Sequence, residues 1–301
     1  MISRINHKNI NWVDIFNPSN EEIAEISSEF ILDNAVKDDI ATPTLRSTLM
    51  EYEDYIYMVM HFPQLVSGKS FNTEIDFIIG KHYIITIHYD ELNIIDRREK
   101  IIDNAINNKT ASERHTGHIF LEILGTLYRE SNEALDPLDD KLMTIEKSIY
   151  SGHERRMVGY ISDTIHHLID FDHAFRLHDK ILLHLIDWGG GYYDKKFKDS
   201  IYNLRYIYSE LVDRVNMLRE DADELRSTND SLLQHKTSDA MKTLTMMSFV
   251  IFPLSLIAGI FGMNAENIPI VGSDYDFEII ISIMFSVTIG LFAFFKWKKW
   301  I

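Results

Sequence analysis

Asn264 closes the triplet Gly262-Met263-Asn264 at the end of residues 243–265, which hold no Lys, Arg, Asp or Glu. Its side-chain carbonyl is a neutral acceptor. A small hard dication gives up its water shell reluctantly. A ring of amide oxygens could accept hydrogen bonds from that shell without stripping it. A ring of carboxylates would hold the ion more tightly, and conduction needs binding weak enough to let go. The bare tripeptide has a second reading, because Gly ends helices and Asn tolerates left-handed backbone. Upstream, Met241, Thr245, Ser248, Phe252, Ser255, Gly259 and Gly262 recur at spacings of three and four, with Leu244 beside them. This stripe is smaller and more polar than its surroundings. Small residues let helices approach closely, and hydroxyls can face water.

Such residues need a wall to stand on. About 20 apolar residues cross a bilayer as a helix, so 243–265 is long enough. A second run, 279–295, follows a short loop, and Lys296-Trp297-Lys298-Lys299-Trp300 comes after it. Two such helices cannot enclose a pore alone, but several copies can. Lys236 and Lys242 precede the first span, Lys296, Lys298 and Lys299 follow the second, and no Lys or Arg lies between 243 and 295. The positive-inside bias therefore predicts both ends in the cytoplasm and the loop outside. That loop carries Glu266, Asp274, Asp276 and Glu278, which would concentrate cations at an outer vestibule. The expected spans are about 244–263 and 278–296, joined by an external loop of about 264–277. Pro253 removes one backbone hydrogen bond within the first span.

The rest of the chain is large enough to bury a core. The whole chain's formal net charge of −16 argues against nucleic acid and fits a protein handling cations. Cysteine is absent, which excludes disulfides, Cys-zinc sites and thiol chemistry. Residues 1–8 have no apolar core for a signal peptide, so the expectation is a cytoplasmic domain anchored by the C-terminal hairpin.

Residues 1–111 read as a cytoplasmic α+β domain, an α/β sandwich. Residues 12–16 suggest a strand, and Ser19 with Glu22 has the spacing of a capping box. Residues 55–62, 75–79 and 83–89 are rich in β-branched and aromatic side chains, as in an antiparallel meander. A helix is expected over 94–107. Residues 112–243 read as a long-helix stalk. Leu135, Leu138, Leu142, Ile145 and Ile149 form one apolar face, and a turn at Ser151-Gly152 leads to a second helix that Gly189-Gly190-Gly191 should break. Ile201, Leu204, Tyr208, Leu211, Val215, Leu218, Ala222, Leu225, Asn229 and Leu232 then alternate spacings of three and four. That heptad seam predicts association of stalk helices between chains. No breaker separates it from the first span, so one helix of about 65 residues, roughly 100 Å long, is expected. The transmembrane hairpin, 244–301, completes the chain.

At Met241-Lys242-Thr243-Leu244-Thr245, Pro253-Leu254, Ile257-Ala258-Gly259 and Gly262-Met263-Asn264 the sequence resembles the CorA family of magnesium and cobalt transporters. The order of the parts matches over the whole chain, and the motifs match over about residues 236–264. The resemblance implies a homopentameric funnel in the plasma or inner membrane, with the first span lining the pore. It implies transported and regulatory Mg2+, possible transport of Co2+, and no organic cofactor. It further implies an outer selectivity site shaped by Gly262 and Asn264, and a hydrophobic constriction that includes Met241 and Leu244. Two positions depart from the family pattern. Ile268-Pro269-Ile270 lacks the acid that many members carry after the Pro, and Ser238 stands where many have Asn.

Other signals are weaker. His166, His167, His173, His178 and His184 crowd one helical stretch, and His115 and His118 are three apart. Such spacing can bind zinc, but without cysteine these read as solvated or packed side chains. The related ZntB branch moves zinc; intact Met263 favours the magnesium reading. Acid-rich 136–140 and 220–224 read as solvated helix faces. A membrane-anchored coiled-coil scaffold would explain the stalk and the anchor but not the polar stripe. No nucleophile–base pair or nucleotide loop supports an enzyme.

Overall fold

The computed structural model describes residues 2–7, 10–44, 46–66, 69–90, 101–102, 104–105, 115–193, 195–263, 268–272, 274–298 and 300. The chain divides into two compact units, Met1–Asn229 and Asp230–Ile301.

In the first unit, strands β1 (Ile2–His7), β2 (Ile10–Phe16), β3 (Thr48–Glu51), β4 (Tyr55–Val66), β5 (Lys69–Gly80) and β6 (Tyr83–His88) form one sheet in the order β1-β2-β6-β5-β4-β3. The expected meander is β4-β5-β6, antiparallel throughout, while β2 joins β6 in parallel. Strands β1 and β3, which sequence reading did not find, close the two edges. Alternation sorts the side chains of β4. Tyr55, Tyr57 and Val59 pack with Ile23, Ile26, Val36 and Ile40 of the segment holding α1 (Asn20–Glu29) and α2 (Asn34–Asp39). Ile56, Met58, Met60 and Phe62 face the long helices instead. The capping box at Ser19 is present, with Glu22 N–H donating to Ser19 Oγ at 3.2 Å and Ser19 N–H to Glu22 Oε2 at 2.9 Å.

The helical layer holds α3 (Thr116–Glu133), α4 (Asp136–Tyr150), α5 (Glu154–Phe175), α6 (His178–Tyr192) and the start of α7 (Lys195–Phe261). Three expectations change here. First, the helix after Ser151-Gly152 does not run on to Trp188; it breaks at Arg176-Leu177. The break frees the Phe175 carbonyl, and Tyr208 Oη donates to it at 3.0 Å. Second, Gly189-Gly190-Gly191 lies inside α6 and does not end it. A Cβ on Gly189 would stand 2.2 Å from the Phe197 ring, and one on Gly117 would stand 2.5 Å from the same ring. These glycines admit Phe197, and that packing outweighs the ~1 kcal/mol that a helical Gly costs. Third, the heptad seam faces its own chain. Ile201, Leu204, Tyr208, Leu211, Val215, Leu218 and Ala222 are buried in the core that holds Phe120, Leu138, Leu142 and Leu168. Arg214 fixes the register, donating to Asp136 Oδ1 at 2.6 Å and to the Asn132 carbonyl at 2.9 Å. From Ile201 to Ala222 the seam is therefore spent within its own chain, while Leu225 and Leu232 beyond it are half-buried. The helix expected over 94–107 lies almost wholly outside the described residues.

His178 sits fully buried among Phe62, Tyr128, Phe175 and Tyr208, with Tyr128 Oη 3.1 Å from its Nδ1. Burial pushes its pKa down to about 3, helped by the proximity of His61. The unfolded chain binds this proton near pH 6.5, so between pH 6.5 and about 3 the unfolded state holds more protons. The stability that neutral His178 confers is complete above pH 6.5 and is lost as pH falls toward 3. The unfolding free energy of the wild type, from urea titrations, should fall with acid more steeply than that of His178→Phe, by up to about 1.4 kcal/mol per pH unit. Parallel pH profiles would contradict this.

Candidate functional site

The second unit holds the remainder of α7 and α8 (Asp276–Trp297), and both helices are long and apolar enough to cross a membrane. Helix α7 continues without a break through Pro253 and ends at Phe261. Its side chains divide into two faces. Met246, Val250, Pro253, Leu254, Ile257 and Phe261 are half-buried. At the end nearer Lys242 this face and Phe292 and Phe295 of α8 border an apolar groove of about 400 Å³.

At 100° per residue, Met241, Thr245, Ser248, Phe252, Ser255 and Gly259 centre about 180° from Val250. The polar stripe thus points away from α8. Phe252 is 73% exposed, Met241 61% and Leu244 60%, so none of the described residues covers that side. Ser248 is half-buried, and Thr245, Ser255, Gly259, Gly262 and Met263 are exposed.

The hydroxyls on this face have defined polarity. Thr245 Oγ1 donates to the Met241 carbonyl at 2.8 Å, and Ser248 Oγ donates to the Leu244 carbonyl at 3.0 Å. A hydroxyl has one proton and two lone pairs. With the proton turned into the helix, Thr245 and Ser248 face outward as acceptors only. Water bound to a cation points its protons away from the ion, so this face can hold a hydrated cation through its shell.

At the end of α7, Gly262 N–H donates to the Ala258 carbonyl at 2.9 Å, and a Cβ there would lie 2.9 Å from that carbonyl oxygen. The glycine fits a tight helix end. Asn264 and Glu266 lie outside the described residues. The other expected loop acids separate. Asp276 is half-buried and accepts from Gly272 N–H at 3.2 Å and from its neighbour Phe277 N–H at 2.7 Å. Standing in the first turn of α8, it stabilises that helix end. Asp274 and Glu278 are exposed, as is Ser238 on α7. After α8, Lys298 Nζ lies 5.7 Å from the Trp297 ring, and Phe295 stacks on Trp300 at 6.0 Å. Trp and Tyr at such positions suit a membrane interface.

Among the described residues no group of three or more His, Asp or Glu is arranged to hold a metal ion. His115 and His118 stack at 3.9 Å. His178 is core, and His184 Nε2 lies 3.2 Å from Glu51 Oε2. Sequence reading missed the backbone hydrogen bonds that occupy Asp276, although Asp in a first helical turn is a readable sign. It also missed the pairing of His167 with Ser70, which are 97 positions apart.

A family model described as "CorA-like Mg2+ transporter protein" matches residues 7–299. The chain belongs to this family. Curated CorA-type relatives agree along nearly its full length. The cobalt/magnesium transport protein CorA of Methanocaldococcus jannaschii is 23% identical over 96% of this chain and 91% of its own. The CorA of Thermotoga maritima is 20% identical, over 96% and 83%. The putative metal ion transporter YfjQ of Bacillus subtilis is 24% identical, over 96% and 89%. Among solved structures, the complete CorA magnesium transporter of M. jannaschii superposes with a TM-score of 0.85 at 22% identity, covering 97% of this chain and 92% of that one. The full-length CmaX protein superposes at 0.74 with 12% identity, over 97% and 89%. The CorA fold therefore spans both units. This CorA-type chain is a membrane protein with an N-terminal cytoplasmic domain and two C-terminal spans.

A stripe that lines water is open to small charged reagents, and the absence of cysteine makes the test clean. In membranes, Thr245→Cys and Ser255→Cys should react with a charged methanethiosulfonate, while Leu254→Cys and Ile257→Cys should stay unmodified. Equal labelling of both faces would remove the distinction between them.

Proposed function

We propose that this chain forms a homopentamer that conducts hydrated Mg2+, with Co2+ as a second cargo, into the cytoplasm along the stripe of α7. The observation that carries the reading is the polar face of α7, turned away from α8, uncovered by the described residues of its own chain, and presenting Thr245 and Ser248 as acceptors. Family membership supports the cargo and the assembly. Five copies would bring Met241, Leu244, Thr245, Ser248, Phe252, Ser255 and Gly259 around one axis. Met241 and Leu244 would form an apolar collar, which closes a pore when it dries. Gly262, Met263 and Asn264 would form the entry, where Asn264 meets the ion through its water. Asp274 and Glu278, with Glu266, would raise cation concentration at the mouth, while Asp276 serves the α8 terminus.

Asn264→Ala should abolish Mg2+ flux into liposomes, with a pentamer mass unchanged by native mass spectrometry. Unchanged flux would sink the entry site, and a conducting monomer or dimer would sink the single-hairpin pore.

Cytoplasmic Mg2+ acts as the closing ligand in this reading. Acid exceeds base across the chain, and carboxylates brought together between subunits repel. A bridging dication would favour the closely packed state, but only through higher affinity for that state. Millimolar Mg2+ on the cytoplasmic face should reduce current and protect the soluble part from protease. If neither changes, the acidic surface serves solubility alone.

A further inference from the structure

Helix α5 sets Asp163, His167 and Asp170 one turn apart on one side. Ser70, at the start of β5, meets them. Its Oγ donates to Asp170 Oδ2 in a short hydrogen bond, and His167 Nδ1 lies 2.7 Å from the same Oγ. The directions follow from proton count. Ser70 has one proton and gives it to the carboxylate, so Oγ can only accept from the ring. His167 therefore carries its proton on Nδ1 and presents a bare lone pair at Nε2.

His167 is 7% exposed, and its Nε2 is buried without a hydrogen-bond partner. It looks at Asp163 Oδ2 across 3.6 Å. Two acceptors thus face each other, and Lys141 Nζ, 2.6 Å from Asp163 Oδ2, offsets the carboxylate but leaves Nε2 without a donor or a cation. A proton fits this gap poorly, since a charge-assisted N–H···O contact closes to about 2.7–2.9 Å. A metal fits it well. Bonds of about 2.0–2.2 Å from nitrogen and oxygen, subtending about 110–120°, place the two ligands about 3.4–3.6 Å apart. Spacing of i and i+4 is one that puts two ligands on one metal from a single helix. The Asp170–Ser70 pair does for the ring what a supporting carboxylate does in metal sites generally: it fixes the tautomer and aims Nε2.

We infer that His167 and Asp163 bind one borderline divalent cation, of the Co2+, Ni2+ or Zn2+ class, with water completing its shell. Imidazole nitrogen selects these ions over Mg2+, which prefers oxygen in an octahedral shell. Lys141 Nζ donates to the same Asp163 oxygen at 2.6 Å and is the built-in competitor. The site binds through two side chains of the N-terminal unit, so it stands apart from the conduction stripe and from the proposed function.

The test is a Co2+ titration of the full-length protein in detergent, with Mg2+ saturating, read by visible absorption. X-ray absorption on the wild type reports imidazole coordination without any mutation. One imidazole-bound Co2+ per chain is expected. It should be lost in His167→Gln, kept in His166→Ala, weakened ~10–100-fold in Ser70→Ala and strengthened in Lys141→Ala. Thermal melts of the variants report folding. Two results overturn the site: Co2+ binding that is unchanged in folded His167→Gln, or a wild type whose Co2+ shows no imidazole ligand while His167 is doubly protonated by NMR. Neither reads Mg2+ flux, so the site and the transport reading fail separately.

Discussion

One backbone serves two solvents in α7, and most of the architecture answers to that constraint. In water a helix is held by burying an apolar stripe, because intrinsic propensity contributes little. In lipid the apolar surround is free, and every polar group must be satisfied within the helix or by a neighbour. From Phe197 to Ala222 the helix meets the first demand by packing its seam into its own chain. Past Lys242 it meets the second: Thr243, Thr245 and Ser248 all turn their protons back to carbonyls one turn earlier. The same polar residues that look like breaks in an apolar span are thereby made tolerable in it.

Much of this was legible from sequence because it rests on composition and short spacing. The two spans, the β4-β5-β6 meander, the Ser19 capping box and the apolar face of α4 all follow from local pattern. The errors have a common origin in contacts between distant positions. A spacing of three and four reads the same whether the stripe meets a second chain or its own, so the Ile201–Leu232 seam could not declare its partner. Three glycines in a row weaken a helix in isolation, yet Gly189 is needed where Phe197 presses against α6. The break at Arg176-Leu177 has no Gly or Pro to announce it; its carbonyl is taken by Tyr208, 33 residues away.

The candidate site divides along the same line. The stripe on α7 could be drawn from spacing alone, and its orientation away from α8 needed the structure. Asp163, His167 and Asp170 stand at helical spacing in the sequence. Without Ser70 placed beside them, nothing distinguished that histidine from its neighbours. Asp276 went the other way: grouped by charge with the loop acids, it turns out to be occupied with backbone N–H groups.

The inward-turned hydroxyls of Thr245 and Ser248 also bear on what such a wall refuses. An anion in water is surrounded by molecules whose oxygens point outward, and those oxygens seek donors. At these two positions the side-chain protons are already committed to the helix, and the backbone N–H groups are spent in its ladder. At that level of the wall chloride or phosphate would therefore leave bulk water and gain nothing in return. Discrimination by sign of charge can thus arise from a neutral surface, through the orientation of a few hydrogen atoms, with no buried carboxylate to bear the cost of desolvation.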